Sequence, residues 1–204
     1  MPLDILSLII GYMLGSIPTG YVVSRVRKGI DIRTIGSRNM GGANVMREIG
    51  TPEGVLVGLF DIAKGAGAIL IAQAVNVSEL WIFGTGFAAL VGHNFPVFAG
   101  FRGGRGSATI VGIFLVLAPT AALVTLAVVA IPFFASRKFV GAIIIGFALL
   151  PLFAWLLEGS LPLVRYALAI DVFMLIRNLP DIRRVLAKGV VKDMMYGRQR
   201  KKAR

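Results

Sequence analysis

The 204-residue chain has no cysteine and only one histidine, His93. Disulfides, thiolate metal sites and a cysteine nucleophile are therefore excluded, and one imidazole cannot build a histidine metal cluster. Charge is sparse as well. Asp, Glu, Lys and Arg make up 16% of the residues, where a soluble domain carries about 25%. Acid is scarcer than base, 10 Asp and Glu against 22 Lys and Arg, for a formal charge of +12. Long polar stretches are missing except at residues 25–53 and 177–204. With 56% apolar residues the chain also lacks the low hydrophobicity that disorder requires.

Apolar sequence fills the space left by these absences. A helix needs about 20 apolar residues to cross a bilayer. Seven stretches qualify in the reading adopted here: residues 3–24, 54–74, 80–98, 107–117, 120–135, 139–157 and 161–176. The fourth and fifth are short, and a kinked single helix is the alternative, with Pro119 as the kink. Basic residues decide between them, because short cytoplasmic loops are rich in Lys and Arg. With seven spans and the N-terminus outside, every Lys and Arg except Lys64 and Arg165 falls in a cytoplasmic segment. The expected fold is all-α: a polytopic membrane helix bundle of about seven transmembrane helices, N-terminus outside and C-terminus cytoplasmic. One integral membrane domain is expected over residues 1–204, with a basic cytoplasmic tail from about 178 to 204. The first span carries Asp4 and no basic leader, so it is not read as a cleaved signal peptide. The tail GRQRKKAR reads as a topology signal that touches anionic lipid rather than nucleic acid.

Polar motifs gather on the side assigned to the cytoplasm. The first is IGSRNMGGANVMR, residues 35–47. Its Ser37, Asn39, Gly41, Gly42 and Asn44 are small or amide residues flanked by Arg38 and Arg47. Glycines let successive N–H groups converge on one anion, and arginine adds a planar charge suited to phosphate. The second is GHNFPVFAGFRGGRGSAT, residues 92–109, where Arg102 and Arg105 stand among Gly103, Gly104 and Gly106. A helix starting at Ser107 would favour an anion at its N-terminus. The third is the exit LIRNLPDIRR, residues 175–184. On pattern alone, each glycine-rich loop is also compatible with a plain turn-forming connector.

Ionisable groups inside apolar stretches are costly and are paired or functional. Asp61 and Lys64 are three residues apart and can pair on one helix face. Asp171 lies in the last span. No Gly-x-Ser-x-Gly elbow occurs, and the residue five places after His93 is Phe98 rather than an acid. Hydrolase-type Ser–His–Asp chemistry is therefore a poor fit.

Together the motifs give a resemblance. GSIPTGY at 15–21, GSRNMGGANVMR at 36–47, DIAKG at 61–65, GHNFPVF at 92–98, FRGGRGSAT at 101–109 and RNLPDIRR at 177–184 follow one family's order. The chain resembles the bacterial membrane family of acyl-phosphate-dependent glycerol-3-phosphate acyltransferases. The resemblance implies transfer of a fatty acyl group from acyl-phosphate to the 1-hydroxyl of glycerol-3-phosphate, giving lysophosphatidic acid and phosphate. It implies a bacterial inner-membrane enzyme with a cytoplasmic active site and no cofactor. Its partners would be these two substrates and membrane lipids, without nucleic acid.

Carried over by motif, Ser37, Arg47 and Arg105 become the expected catalytic residues. Asn39, Gly41, Gly42 and Asn44 would cradle the acyl-phosphate group. Gly103, Gly104 and Gly106 would complete that pocket, with His93 beside it. Arg177, Asn178 and Asp181 would hold the acceptor end. The chain departs from the usual pattern at several of these places. Arg38 stands where Gly is common, Arg105 where Lys is common, Asn178 where His is common and Asp181 where Asn is common. A non-catalytic relative that binds lipid or phosphate, or a different acceptor, is the alternative reading.

Overall fold

The computed structural model describes residues 1–136 and 139–187, with side chains for residues 1–130 and 146–179. Arg137, Lys138, the tail from Lys188 and the Asp181 side chain lie outside that description. Among the described residues the fold is entirely helical. The helices are α1 (Pro2–Gly15), α2 (Thr19–Lys28), α3 (Gly42–Glu48), α4 (Thr51–Ala74), α5 (Glu79–Asn94), α6 (Ser107–Leu117), α7 (Pro119–Ser136), α8 (Phe139–Glu158) and α9 (Leu161–Ala187). A single 3-10 turn, Val97–Ala99, follows α5.

Among the described residues three stretches are long and apolar enough to cross a membrane: Pro2–Lys28, Thr51–Ala74 and Glu79–Ala99. Shorter apolar helices follow at Ser107–Leu117, Pro119–Ala130 and Gly146–Glu158. Large apolar side chains are exposed along these helices, among them Ile9, Leu59, Phe60, Leu70, Trp155, Leu168 and Val172. An outward face of this kind matches lipid rather than water.

The expected first span is two helices. Pro18 has no N–H to continue the ladder, so α1 ends at Gly15 and α2 begins at Thr19. The expected break near Pro119 is present. Ala118 leaves helical geometry at φ −151°, ψ 70°, and Pro119 opens α7. The last helix runs beyond the expected end at residue 176, through Pro180 to Ala187. Helix α3 lies in a segment read as loop.

Small residues set the closest crossings, as in membrane helix packing generally. A Cβ on Gly15 would overlap the Ala89 carbonyl, and one on Gly92 the Tyr12 carbonyl, so α1 and α5 touch backbone to backbone. Helices α4 and α6 do the same through Gly65 and Gly112, which face Thr109 and Ile62. A main core of Ile69, Leu90, Ile113, Phe114, Leu150 and Ile170 joins α4 to α9. Tyr166 stacks there on Phe83 with ring centroids 4.7 Å apart. A second, smaller core of Ile32, Met40, Val45, Ile49, Val57 and Ala99 lies under the polar segments. It gives those loops a fixed apolar floor.

Candidate active site

The first glycine-rich loop is shaped from within. Asn44, 1% exposed on α3, donates to the carbonyls of Ile32, Ile35 and Asn39 at 3.3, 3.2 and 3.0 Å. Its Oδ1 accepts the Ser37 N–H at 2.9 Å. Removing such a brace leaves buried backbone groups unpaired, at about 1–3 kcal/mol each. Asn44 thus builds the loop, while Ser37 and Arg47 are left exposed on its surface. Gly41 caps α3, and its N–H is held by Asn39 Oδ1 at 3.3 Å. Gly42 faces the Gly54 carbonyl with no room for a side chain.

Two residues of this region tie it outward. Arg33 grips Asp31 through Nε and Nη2 at 2.9 and 2.8 Å, and its Nη1 donates to the Ala99 carbonyl at 2.8 Å. The guanidinium also lies 4.7 Å from the centre of the Tyr21 ring. The Arg33 hydrogen bonds hold the Asp31 carboxyl down at about 2, and the same contact raises Arg33. First loop, α2 and the Val97–Ala99 turn are thereby joined by one side chain.

The second loop folds onto the end of α5. Gly104 N–H donates to the His93 carbonyl at 3.0 Å and Gly103 N–H to the Asn94 carbonyl at 3.2 Å. Gly104 lies against the His93 ring edge, where a Cβ would overlap Nε2. Gly106 adopts φ 86°, a left-handed conformation that suits glycine, and sets the start of α6. Arg105 between them is half-buried.

The exit motif reaches the same region at one point. Arg177 on α9 lies 5.4 Å from the centre of the Phe95 ring. Phe95 is itself anchored, since its carbonyl accepts the Tyr12 hydroxyl at 2.9 Å. Asn178 turns away, donating to the Met174 carbonyl of its own helix at 2.7 Å.

A buried polar cluster lies beneath the two loops. Asp61 and Lys64 pair at 2.8 Å. Thr19 donates to the same Asp61 oxygen at 2.8 Å, and His93 Nδ1 stands 3.5 Å from it. The cleft above is lined by Ile17, Thr19, Met40, Lys64, His93 and Pro96. Sequence reasoning finds the Asp61–Lys64 pair but not its connection to Thr19 and His93. A Pro-Thr step inside an apolar run was the available sign. Among the described residues no group of three or more His, Asp or Glu side chains is placed to hold a metal.

A family model described as Glycerol-3-phosphate acyltransferase matches residues 5–188. The chain belongs to the glycerol-3-phosphate acyltransferase family. A glycerol-3-phosphate acyltransferase of Anaeromyxobacter dehalogenans is 41% identical over 181 residues, covering 86% of this chain and 90% of its own. One from Endomicrobium trichonymphae is 36% identical over 189 residues, covering 93% and 95%. The crystal structure of PlsY (YgiH), an integral membrane glycerol 3-phosphate acyltransferase in its glycerol 3-phosphate form, superposes with a TM-score of 0.83. It is 33% identical, with 91% of this chain and 92% of that chain covered. The lysophosphatidic acid form superposes at 0.82. Met40 of the first motif and His93 and Pro96 of the second line one cleft, and Arg177 of the exit motif reaches the ring of Phe95, the residue next to Pro96.

Proposed function

We propose that the chain acylates the 1-hydroxyl of glycerol-3-phosphate from acyl-phosphate, releasing lysophosphatidic acid and phosphate. The observation that carries this reading is one cleft lined by Met40 of the first loop and by His93, against whose ring edge Gly104 of the second loop packs. Both substrates are phosphates, and each loop offers backbone N–H groups with an arginine close by. The start of α6 after Gly106 adds the favourable end of a helix dipole.

The hydroxyl oxygen attacks the carbonyl carbon of the mixed anhydride. The bond from that carbon to the phosphate oxygen breaks, and the hydroxyl proton leaves with the phosphate. Phosphate is a competent leaving group, so no acyl-enzyme is needed. Ser37, Asn39, Gly41 and Gly106 hold the acyl-phosphate group. Asn44 keeps the first loop in shape, and Gly103 and Gly104, whose N–H groups are committed to the Asn94 and His93 carbonyls, shape the second. Arg47 and Arg105 stabilise negative charge as it shifts to the leaving group. Arg177 receives the acceptor phosphate, with Asp181 one turn further along α9, while the Asn178 amide donates back to Met174. The protein supplies position and charge rather than a base. It needs no cofactor and no nucleic acid. The chain crosses a bacterial inner membrane seven times, its N-terminus outside and the cleft open to the cytoplasm.

Replacing Ser37 or Arg105 by Ala tests the site. Each is expected to lower turnover at least about tenfold, roughly 1.4 kcal/mol of transition-state stabilisation. Release of phosphate from synthetic acyl-phosphate with glycerol-3-phosphate gives the rate. Wild-type rates in both variants would reduce the loops to connectors.

A further inference from the structure

The Asp61 cluster is more elaborate than an ion pair requires. Asp61 is 2% exposed and Lys64 7% exposed, so both charges are withdrawn from solvent. Burying a pair in this way gains little stability, and apolar replacements of similar volume are often neutral or better. The arrangement around Asp61 points elsewhere. Its Oδ1 is approached by Lys64 Nζ and Thr19 Oγ1 at 2.8 Å each, and by His93 Nδ1 at 3.5 Å. These groups come from α4, α2 and α5. Lys64 also donates to the Ile17 carbonyl at 3.3 Å, inside the break between α1 and α2.

Each arm of this cluster ends under one anion loop. On one side, His93 carries Gly104 on its ring edge, with Nε2 in closest approach. On the other, Gly20 follows Thr19 and lies against the Met40 carbonyl, again with no room for a Cβ. A turn of the imidazole or a shift of α2 would therefore move one loop relative to the other. We propose that Asp61 and His93 are positioning residues that fix the spacing of the two phosphate-binding loops from below. This rests on the acyl-transfer reading of the loops given above. Asp61 aims the ring, and the ring sets the height of Gly104.

Two variants separate positioning from stability. Asp61→Leu with Lys64→Met removes the charges together and keeps the volume. His93→Asn keeps a donor for Asp61 but removes the ring edge under Gly104. Both are measured beside Arg105→Ala in detergent, with Tm, kcat, the KM for acyl-phosphate and inhibition by inorganic phosphate. In the two positioning variants, the KM and the phosphate inhibition constant are expected to rise about tenfold or more, with kcat within about threefold. The double variant should match or exceed the wild-type Tm. His93→Gln, whose amide reaches toward the lost Nε2, should recover part of the KM.

Unchanged KM and inhibition in both variants, with Arg105→Ala impaired, would overturn the proposal and leave the site reading intact. So would losses that follow Tm while KM stays constant. An Arg105→Ala enzyme at wild-type rates would instead overturn the reading of the loops. Should the double variant fail to fold, the His93 pair decides alone. Wild-type KM in both His93→Asn and His93→Gln would then refute positioning.

Discussion

Arg38 pays a conformational cost that a glycine at the same place would avoid. Its φ of 59° lies in the left-handed region, which costs a residue with a Cβ roughly 1–2 kcal/mol. Gly36, two places earlier, has φ 56°, so Ser37 is presented between two left-handed turns. The Arg38 side chain is exposed. Arg38→Gly is therefore expected to raise stability by up to about 1 kcal/mol, after the entropy glycine loses on folding. Thermal unfolding would show it, and a fall in Tm would mean that the guanidinium has a tie worth more than the strain. Asp31 makes a prediction of the opposite kind. Its carboxyl is lowered to about 2 by Arg33, so the stability it lends is present above its ordinary value of 3.8. That contribution fades as pH falls from the ordinary value toward 2, while Arg33 keeps its charge throughout. Asp31→Asn should lower Tm at neutral pH, and the gap to wild type should close as acid approaches pH 2. A gap that persists there would assign the effect to shape rather than charge. At this scale the sequence reports local chemistry: the Ser, Asn, Gly and Arg composition of both loops is what an anion site would use, and a turn-forming connector would use it too. The role of Asn44 as an internal brace was not readable, because it depends on carbonyls that only the folded loop brings together. His93 joins Asp61 across two helices separated by 32 positions in the chain, and no spacing rule reports such a contact.

Helix–helix contact rests on particular glycines rather than on glycine content. Gly112 of α6 meets the Ile62 carbonyl of α4, while Gly58 and Gly67 of α4 have open space where a Cβ would go. The same substitution should therefore have opposite signs on these helices. Gly112→Ala must push α6 off α4, a backbone displacement that costs about 1–3 kcal/mol or more. It would also shift the start of α6 and with it Gly106 and the second loop. Gly58→Ala and Gly67→Ala should each gain about 0.5–1 kcal/mol from helix propensity. Tm and turnover of the three single variants provide the comparison, and a neutral Gly112→Ala would remove the close crossing from the account. Apolar run length placed α6, α7 and α8 to within a residue at both ends, the start of α9 at Leu161 and the break beside Pro119. It failed where polarity and helicity part company. Helix α3 is short and polar, yet Val45 packs into the floor of the loops and holds it. Pro18 divides a run that stays apolar on both sides, so hydropathy alone passes through it.

For the whole molecule, charge and packing each constrain the orientation, and they do so independently. The glycine-rich loops, the α2 end carrying Arg25, Arg27 and Lys28, and the Arg177 end of α9 are drawn together by contacts. Arg33 reaches the Ala99 carbonyl, and Arg177 reaches the Phe95 ring. The polar motifs therefore share one end of the bundle, whatever the membrane does. Among the described residues the same end holds most of the Lys and Arg, with Arg165 toward the Gly159 end of α9 the exception; the turns near Asn76, Ala118 and Gly159 themselves carry none. Positive loops stay on the cytoplasmic side during insertion. In the proposed reading the substrate-binding loops and the topology signal coincide, so the arginines assigned to phosphate would also be those that resist translocation. In the proposed topology the N-terminus is outside and the chain end inside. Odd parity depends on α6 and α7 acting as separate spans, each shorter than the roughly 20 residues a perpendicular helix needs. A reporter active only in the periplasm, fused after Arg204, is expected to stay silent, while the same reporter fused within the turn near Asn76 should be active. A bright signal after Arg204 with an active Asn76 fusion would make α6 and α7 a single kinked span. A silent Asn76 fusion would place the first loop outside and overturn the orientation. An active Asn76 fusion leaves both arginine-bearing loops facing the compartment that supplies soluble glycerol-3-phosphate, and a silent Arg204 fusion puts the Arg177 end of α9 there with them.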